Sequence, residues 1–143
     1  MDLELQIFID GACSGNPGES AVGVVVKRDG KTIKEIAQSI GEGTNNIAEY
    51  SALICALQEA NALKAKFLNI STDSELLYKQ VIGSYKVKNE KLKSLFDQVQ
   101  KLAASFERVE IKHIPREENK EADKLAATAL KKKQVKVVAF PSS

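Results

Sequence analysis

The chain holds only two cysteines, Cys13 and Cys55, in 143 residues. They lack metal-ligand spacing. One stands in a turn-rich stretch and the other inside a helical pattern, so no structural disulfide is expected and a reducing, cytoplasmic setting fits. No apolar run approaches the roughly 20 residues of a membrane-crossing helix, so no membrane role is expected. Met1 is followed within two residues by a strand pattern, leaving no room for a signal peptide. The expectation is a soluble chain, complete at its N-terminus. Neither sign of charge is in large excess: 21 Lys and Arg against 19 Asp and Glu leave a formal net charge of +2. That total does not by itself argue for a nucleic-acid partner. Lysines gather at Lys86, Lys88, Lys91 and Lys93, and again at Lys131, Lys132, Lys133 and Lys136, a pattern of solvated helix faces and helix C-termini.

What is present suffices for one globular domain, since 43% of the residues are hydrophobic and the length allows a proper core. Leu3, Leu5, Ile7 and Ile9 alternate with more polar residues, which predicts a strand over Leu3 to Ile9. A valine-rich strand, Ala21 to Lys27, turns at Asp29-Gly30 into a third, Thr32 to Ile40. Helix is predicted from Ile47 to Leu63, strand from Lys66 to Ser71, and a short helix from Asp73 to Ile82. A longer helix follows from Asn89 to Phe106, with Leu92, Leu95, Phe96, Val99, Leu102 and Phe106 as its apolar stripe. A fifth strand, Val109 to Ile114, and a last helix, Asn119 to Lys132, complete the order β-β-β-α-β-α-α-β-α. That order predicts an α/β fold, a mixed sheet covered by helices. The stretch from Val135 to Phe140 reads as an edge strand or a loose tail. The domain then spans residues 1–133, with 134–143 as a tail or edge strand.

Four acids and the single histidine stand in related places, and each has a bland explanation. Asp10 ends the first strand and starts the turn-rich run Asp10-Gly11-Ala12-Cys13-Ser14-Gly15-Asn16-Pro17-Gly18. Asp73 follows the buried strand and suits a helix N-cap. Glu49 would be the third residue of a capping box if Asn46 is the cap; Ala52, Ala56 and Ala60 continue its side and would let that side pack close to a sheet. Asp123 complements a helix dipole. His113 closes the fifth strand, where a lone histidine is more often a backbone partner than a catalyst. Jointly they would meet at one sheet edge. Carboxylates so close repel and raise one another's pKa values unless cations lie between them. Magnesium suits such an all-oxygen site, and two ions about 3.5–4 Å apart can stabilise the attacking and leaving oxygens of a phosphodiester displacement.

The runs Asp10-Gly11 through Gly15-Asn16-Pro17-Gly18, Thr44-Asn45-Asn46 with Glu49, Thr72-Asp73-Ser74, and His113-Ile114-Pro115 through Asn119 and Asp123 resemble type 1 ribonuclease H. The likeness covers Leu3 to about Lys132, in the family's order. It implies a ribonuclease H-like mixed five-stranded sheet, with antiparallel strands 1–3 and parallel strands 4 and 5, flanked by helices. It implies an endonuclease that hydrolyses the RNA strand of RNA–DNA hybrids with two Mg²⁺ ions (Mn²⁺ being the other candidate), leaving 5′-phosphate and 3′-hydroxyl ends. Asp10 would bridge the ions, Asp123 would serve the metal that activates water, and Glu49 and Asp73 would complete the leaving-group side. His113 would relay protons or assist product release. Gly11, Ala12, Cys13, Ser14, Asn16, Thr44, Asn45, Asn46 and Asn119 would contact the hybrid, whose wide minor groove exposes 2′-hydroxyls. A monomer is expected, with double-stranded RNA as a second substrate to test.

Three departures from the family's pattern stand out. The segment from Gly83 to Asn89 is too short for the basic handle of many bacterial members, so weaker hybrid affinity is expected unless Lys86, Lys88 and Lys91 compensate. Glu75 replaces a common glutamine, and Ile114-Pro115-Arg116 replaces a glycine-containing loop after His113. Two rival readings are a non-catalytic nucleic-acid binder on the same fold, and a nucleotide enzyme of the two-lobed ATPase group. The first normally lacks one or more acids; the second needs a longer chain.

Overall fold

The computed structural model describes residues 3–132 and 135–140. The strands are β1 (Glu4–Gly15), β2 (Gly18–Arg28), β3 (Lys31–Gly43), β4 (Phe67–Thr72), β5 (Arg108–His113) and β6 (Val135–Ala139). The helices are α1 (Asn45–Ala62), α2 (Glu75–Val81), α3 (Glu90–Ala103) and α4 (Lys120–Lys132), with a 3₁₀ turn at Arg116–Glu118 before α4. One six-stranded sheet runs in the order β5-β4-β1-β2-β3-β6. The β1–β2, β2–β3 and β3–β6 pairs are antiparallel, while β1–β4 and β4–β5 are parallel.

Alternation along β1 builds the core. Leu5, Ile7 and Ile9 are fully buried on one face, Ile7 and Ile9 opposite Val26 and Val24 of β2, and pack in one core with Tyr50, Leu53 and Leu57 of α1. Burying each such side chain contributes about 1.5–3 kcal/mol. α1 packs on β1 and β2 while α3 packs on α1, so α1 is covered on two sides and carries buried residues almost all round. The other face has a thinner core under α4, made of Ala21, Ala37 and Ala129 with Leu125 and Leu130.

Two glycines let the helices approach the sheet. A Cβ on Gly11 would lie 2.3 Å from the Ala48 carbonyl carbon of α1, and one on Gly23 would lie 2.1 Å from the Ala122 carbonyl oxygen of α4. Gly23 pairs with Asp10, so Gly11 faces α1 and Asp10 shares the α4 face with Gly23. Gly23→Ala is expected to push α4, and Asp123 with it, off the sheet, costing about 1–3 kcal/mol. Urea unfolding checks this, and an unchanged midpoint would contradict the close packing of α4.

Two expectations need correction. The first strand does not stop at Ile9. It runs on to Gly15, because antiparallel pairing with β2 continues to the Gly15–Gly18 pair, while its parallel pairing with β4 ends at Ile9–Thr72. The run from Asp10 to Gly18 is therefore the far end of a long hairpin, with a cis Asn16–Pro17 bond at its tip. The sheet also has six strands rather than five, since β6 pairs with β3 along Lys34–Ala139 to Gln38–Val135. The boundary expected at 133/134, and Lys133, lie outside the described residues.

Candidate active site

The place where β1 and β4 part is the centre of the site. Asp10, the first residue of β1 past that point, is 5% exposed. Asp73 follows β4 directly, and the cap of α2 is Ser74, whose hydroxyl accepts the Leu77 amide. Asp73 is thus left outside the helix and is not its N-cap. Glu49 is not a capping-box residue either. Thr44 caps α1 by accepting the Ile47 amide, at 3.2 Å. Glu49 lies one turn further on and accepts the backbone N–H of Gly11 instead, which the close approach at Gly11 makes possible.

One carboxylate oxygen each from Asp10, Glu49 and Asp73 lie within 4.8 Å of one another. Asp123, in the first turn of α4, lines the same cleft of about 380 Å³ together with Gly11, Ala12, Cys13, Asn45 and Arg116. Burial, followed by the charges of Glu49, Asp73 and Asp123, pushes the Asp10 carboxyl up to about 9. Burial also pushes Glu49 up to about 8, against the Gly11 N–H, which favours the charged form. Arg116 reaches Asp123 at 3.7 Å but is largely exposed, so it neutralises the cluster weakly. Clustered hard oxygen donors with too few cations suit a divalent metal ion that would take the place of the protons.

His113 ends β5 outside that lining. Its Nε2 is 3.3 Å from the Asp73 carbonyl oxygen, and its ring stacks on Tyr78 with centroids 6.0 Å apart. Asn16, Thr44 and Asn46 line a neighbouring cavity of about 500 Å³ with Asn89, Glu90 and Lys91 at the start of α3. Asn16 Oδ1 accepts the Asn45 amide at 3.0 Å and so ties the hairpin tip to α1. Ser14 is exposed on the hairpin and lines neither space. Asn119 is 1% exposed and donates to the Ile9 carbonyl oxygen at 2.8 Å. Buried there, its amide nitrogen is turned toward Asp73, whereas the expectation was a substrate contact, which needs an accessible side chain. Sequence reasoning overlooked Arg116, Tyr78 and Asn89 as neighbours of the site. Only Asn89 carried a local signal, as a helix-capping residue two positions before Lys91.

A family model described as reverse transcriptase-like matches residues 8–129. A bifunctional protein of Mycobacterium tuberculosis is 40% identical over 130 residues, covering 90% of this chain and 36% of that protein. Ribonuclease HI of Halobacterium salinarum is 40% identical over 124 residues, 86% of this chain and 62% of that protein. The chain thus spans less than two thirds of the length of these relatives. The crystal structure of the halobacterial RNase H1 matches with a TM-score of 0.88 at 37% identity, over 90% of this chain and 98% of that one. LC11-RNase H1, solved in complex with an RNA/DNA hybrid, matches with a TM-score of 0.86 at 37% identity, over 90% and 98%. Such likeness over nearly the whole of two solved domains, on a sheet edge where acids from β1, α1 and the end of β4 converge, places this chain in the type 1 ribonuclease H family.

Proposed function

We propose that the chain is an endoribonuclease that hydrolyses the RNA strand of RNA–DNA hybrids, using two Mg²⁺ ions and leaving 5′-phosphate and 3′-hydroxyl ends. The observation that carries this reading is the convergence of Asp10, Glu49 and Asp73 within 4.8 Å, with Asp123 on the same cleft. When bound, the ions would supply Lewis-acid stabilisation of the attacking and leaving oxygens. Asp10, Glu49, Asp73 and Asp123 would hold them: Asp10 would be shared between the two, Asp123 would serve the attacking side, and Glu49 and Asp73 the leaving side. The Gly11 amide fixes the Glu49 carboxylate, which limits the rearrangement needed when metal and substrate arrive.

Gly11, Ala12, Cys13 and Asn45 line the cleft where the RNA strand would lie, and Asn16, Thr44 and Asn46 line the adjoining cavity that suits a backbone phosphate. The hybrid complex of LC11-RNase H1 supports this choice of substrate. Retention of all four acids argues against a non-catalytic binder. Residues 1–133 are proposed to form the catalytic domain, acting as a monomer in the cytoplasm.

The test is a panel of end-labelled duplexes incubated with Mg²⁺. Cleavage of the RNA strand in the hybrid is expected, with 5′-phosphate ends, while a DNA duplex stays intact. Cutting of an RNA duplex would widen the substrate range; no cleavage of the hybrid would overturn the proposal. His113→Ala is expected to slow turnover roughly 10²-fold, as loss of a proton-transfer group does, with hybrid binding little changed. Steady-state kinetics decide this, and lost binding with intact turnover would assign His113 to structure.

A further inference from the structure

Asn119 occupies the fork left where the β1–β4 ladder ends. Past the Ile9–Thr72 pair the chain after β4 turns into α2, so no β4 residue lies beyond to continue the ladder. Asn119 Nδ2 donates to the Ile9 carbonyl oxygen at 2.8 Å and also to Asp73 Oδ2 at 3.3 Å. Its own backbone carbonyl accepts the Asp123 amide at 3.1 Å. One residue therefore holds the peptide before Asp10, the carboxylate of Asp73 and the helical turn that carries Asp123.

The chemistry of the position is restrictive. Both side-chain partners are acceptors, so the amide nitrogen must face them, and only a side chain with two N–H groups and no charge serves both without neutralising Asp73. The amide oxygen is buried and has no hydrogen-bond partner among the described residues.

We propose that Asn119 is a positioning residue that sets the mutual placement of Asp10, Asp73 and Asp123, and through it the affinity of the cleft for divalent cations. The inference rests on the metal-dependent reading above. Being buried, Asn119 acts through the acids and touches neither duplex nor scissile phosphate.

Calorimetric titration with Mn²⁺, paired with hybrid-cleavage kinetics, tests this on the wild type, Asn119→Ala and Asn119→Ser. Asn119→Ala is expected to weaken Mn²⁺ binding and to lower kcat, each about 10–100-fold. KM for the hybrid should stay within about twofold, because no ground-state contact is lost. Asn119→Ser retains one donor and should fall between the two. Unchanged Mn²⁺ affinity in a folded variant, or a raised KM at unchanged kcat, would overturn the proposal. If the alanine variant does not fold, the serine variant carries the comparison, and unfolding of both would assign Asn119 to structure alone. A wild type that neither binds Mn²⁺ nor cuts the hybrid would instead remove the functional reading itself.

Discussion

Asp10→Asn is expected to lose at least about 10³ in cleavage rate, roughly 4 kcal/mol of transition-state stabilisation, while gaining stability without metal. The two effects share one cause. Asp10 is nearly buried and surrounded by Glu49, Asp73 and Asp123, so the metal-free fold must either hold its charge beside theirs or take up a proton that the unfolded chain releases, and either costs stability. An amide of the same shape removes that repulsion and can donate to the remaining carboxylates. A gain of about 0.5–2 kcal/mol is expected, in line with other relieved active-site strain, which for a domain of this size raises Tm by several degrees. Scanning calorimetry in chelator and a cleavage assay in Mg²⁺, on the same preparation, check both halves. A less stable and inactive variant would mean that Asp10 is a structural residue.

The second large effect is on the pH dependence of the metal-free protein. The carboxyls of Asp10 and Glu49 have ordinary values of 3.8 and 4.5 and are pushed up to about 9 and about 8 in the fold. Between those limits the native state binds more protons than the unfolded chain, so these two groups make stability fall as pH rises. Their favourable contribution is fully present below about pH 4 and lost as pH rises through about 8 to 9. Other carboxylates titrate too, so the clean quantity is the difference between wild type and Asp10→Asn, which should widen toward high pH. Added Mg²⁺ is expected to take the place of the protons, so its stabilising effect should grow with pH and reach about 2.7 kcal/mol at a hundredfold excess over Kd. Urea unfolding across that range, with chelator and with Mg²⁺, measures it. A wild type that tracks the variant at every pH would contradict the repulsion.

Much of the fold was legible because its elements are strongly periodic. Leu5, Ile7 and Ile9 alternate, and α3 carries its apolar residues in one stripe. The length of β1 was not legible, since Gly11, Cys13 and Ser14 have little strand preference and are held there by the distant partner β2. The final valines left a strand and a tail equally open, and pairing with β3 decided for the strand. The acids were legible as residues, and their meeting at one sheet edge was expected from the strand ends and helix starts they occupy, although singly each had a bland explanation. Asp73 and Glu49 each had an adequate capping explanation, and only the true caps, Ser74 and Thr44, release them for other work. Asn119 was expected to contact the hybrid only through the resemblance to the family, not from any feature of its sequence neighbours. Its burial follows from the fork between β1 and β4, which no local pattern reports.

The most direct test of the central claim, that these acids form one metal-dependent hydrolytic centre, is single-turnover cleavage of a labelled RNA–DNA hybrid as Mg²⁺ is titrated from chelator upward. The rate should be absent in chelator, rise with Mg²⁺ to saturation for the wild type, and stay near background for Asp10→Asn at every concentration. Cleavage that persists in chelator, or that Asp10→Asn carries out as fast as the wild type, would contradict it.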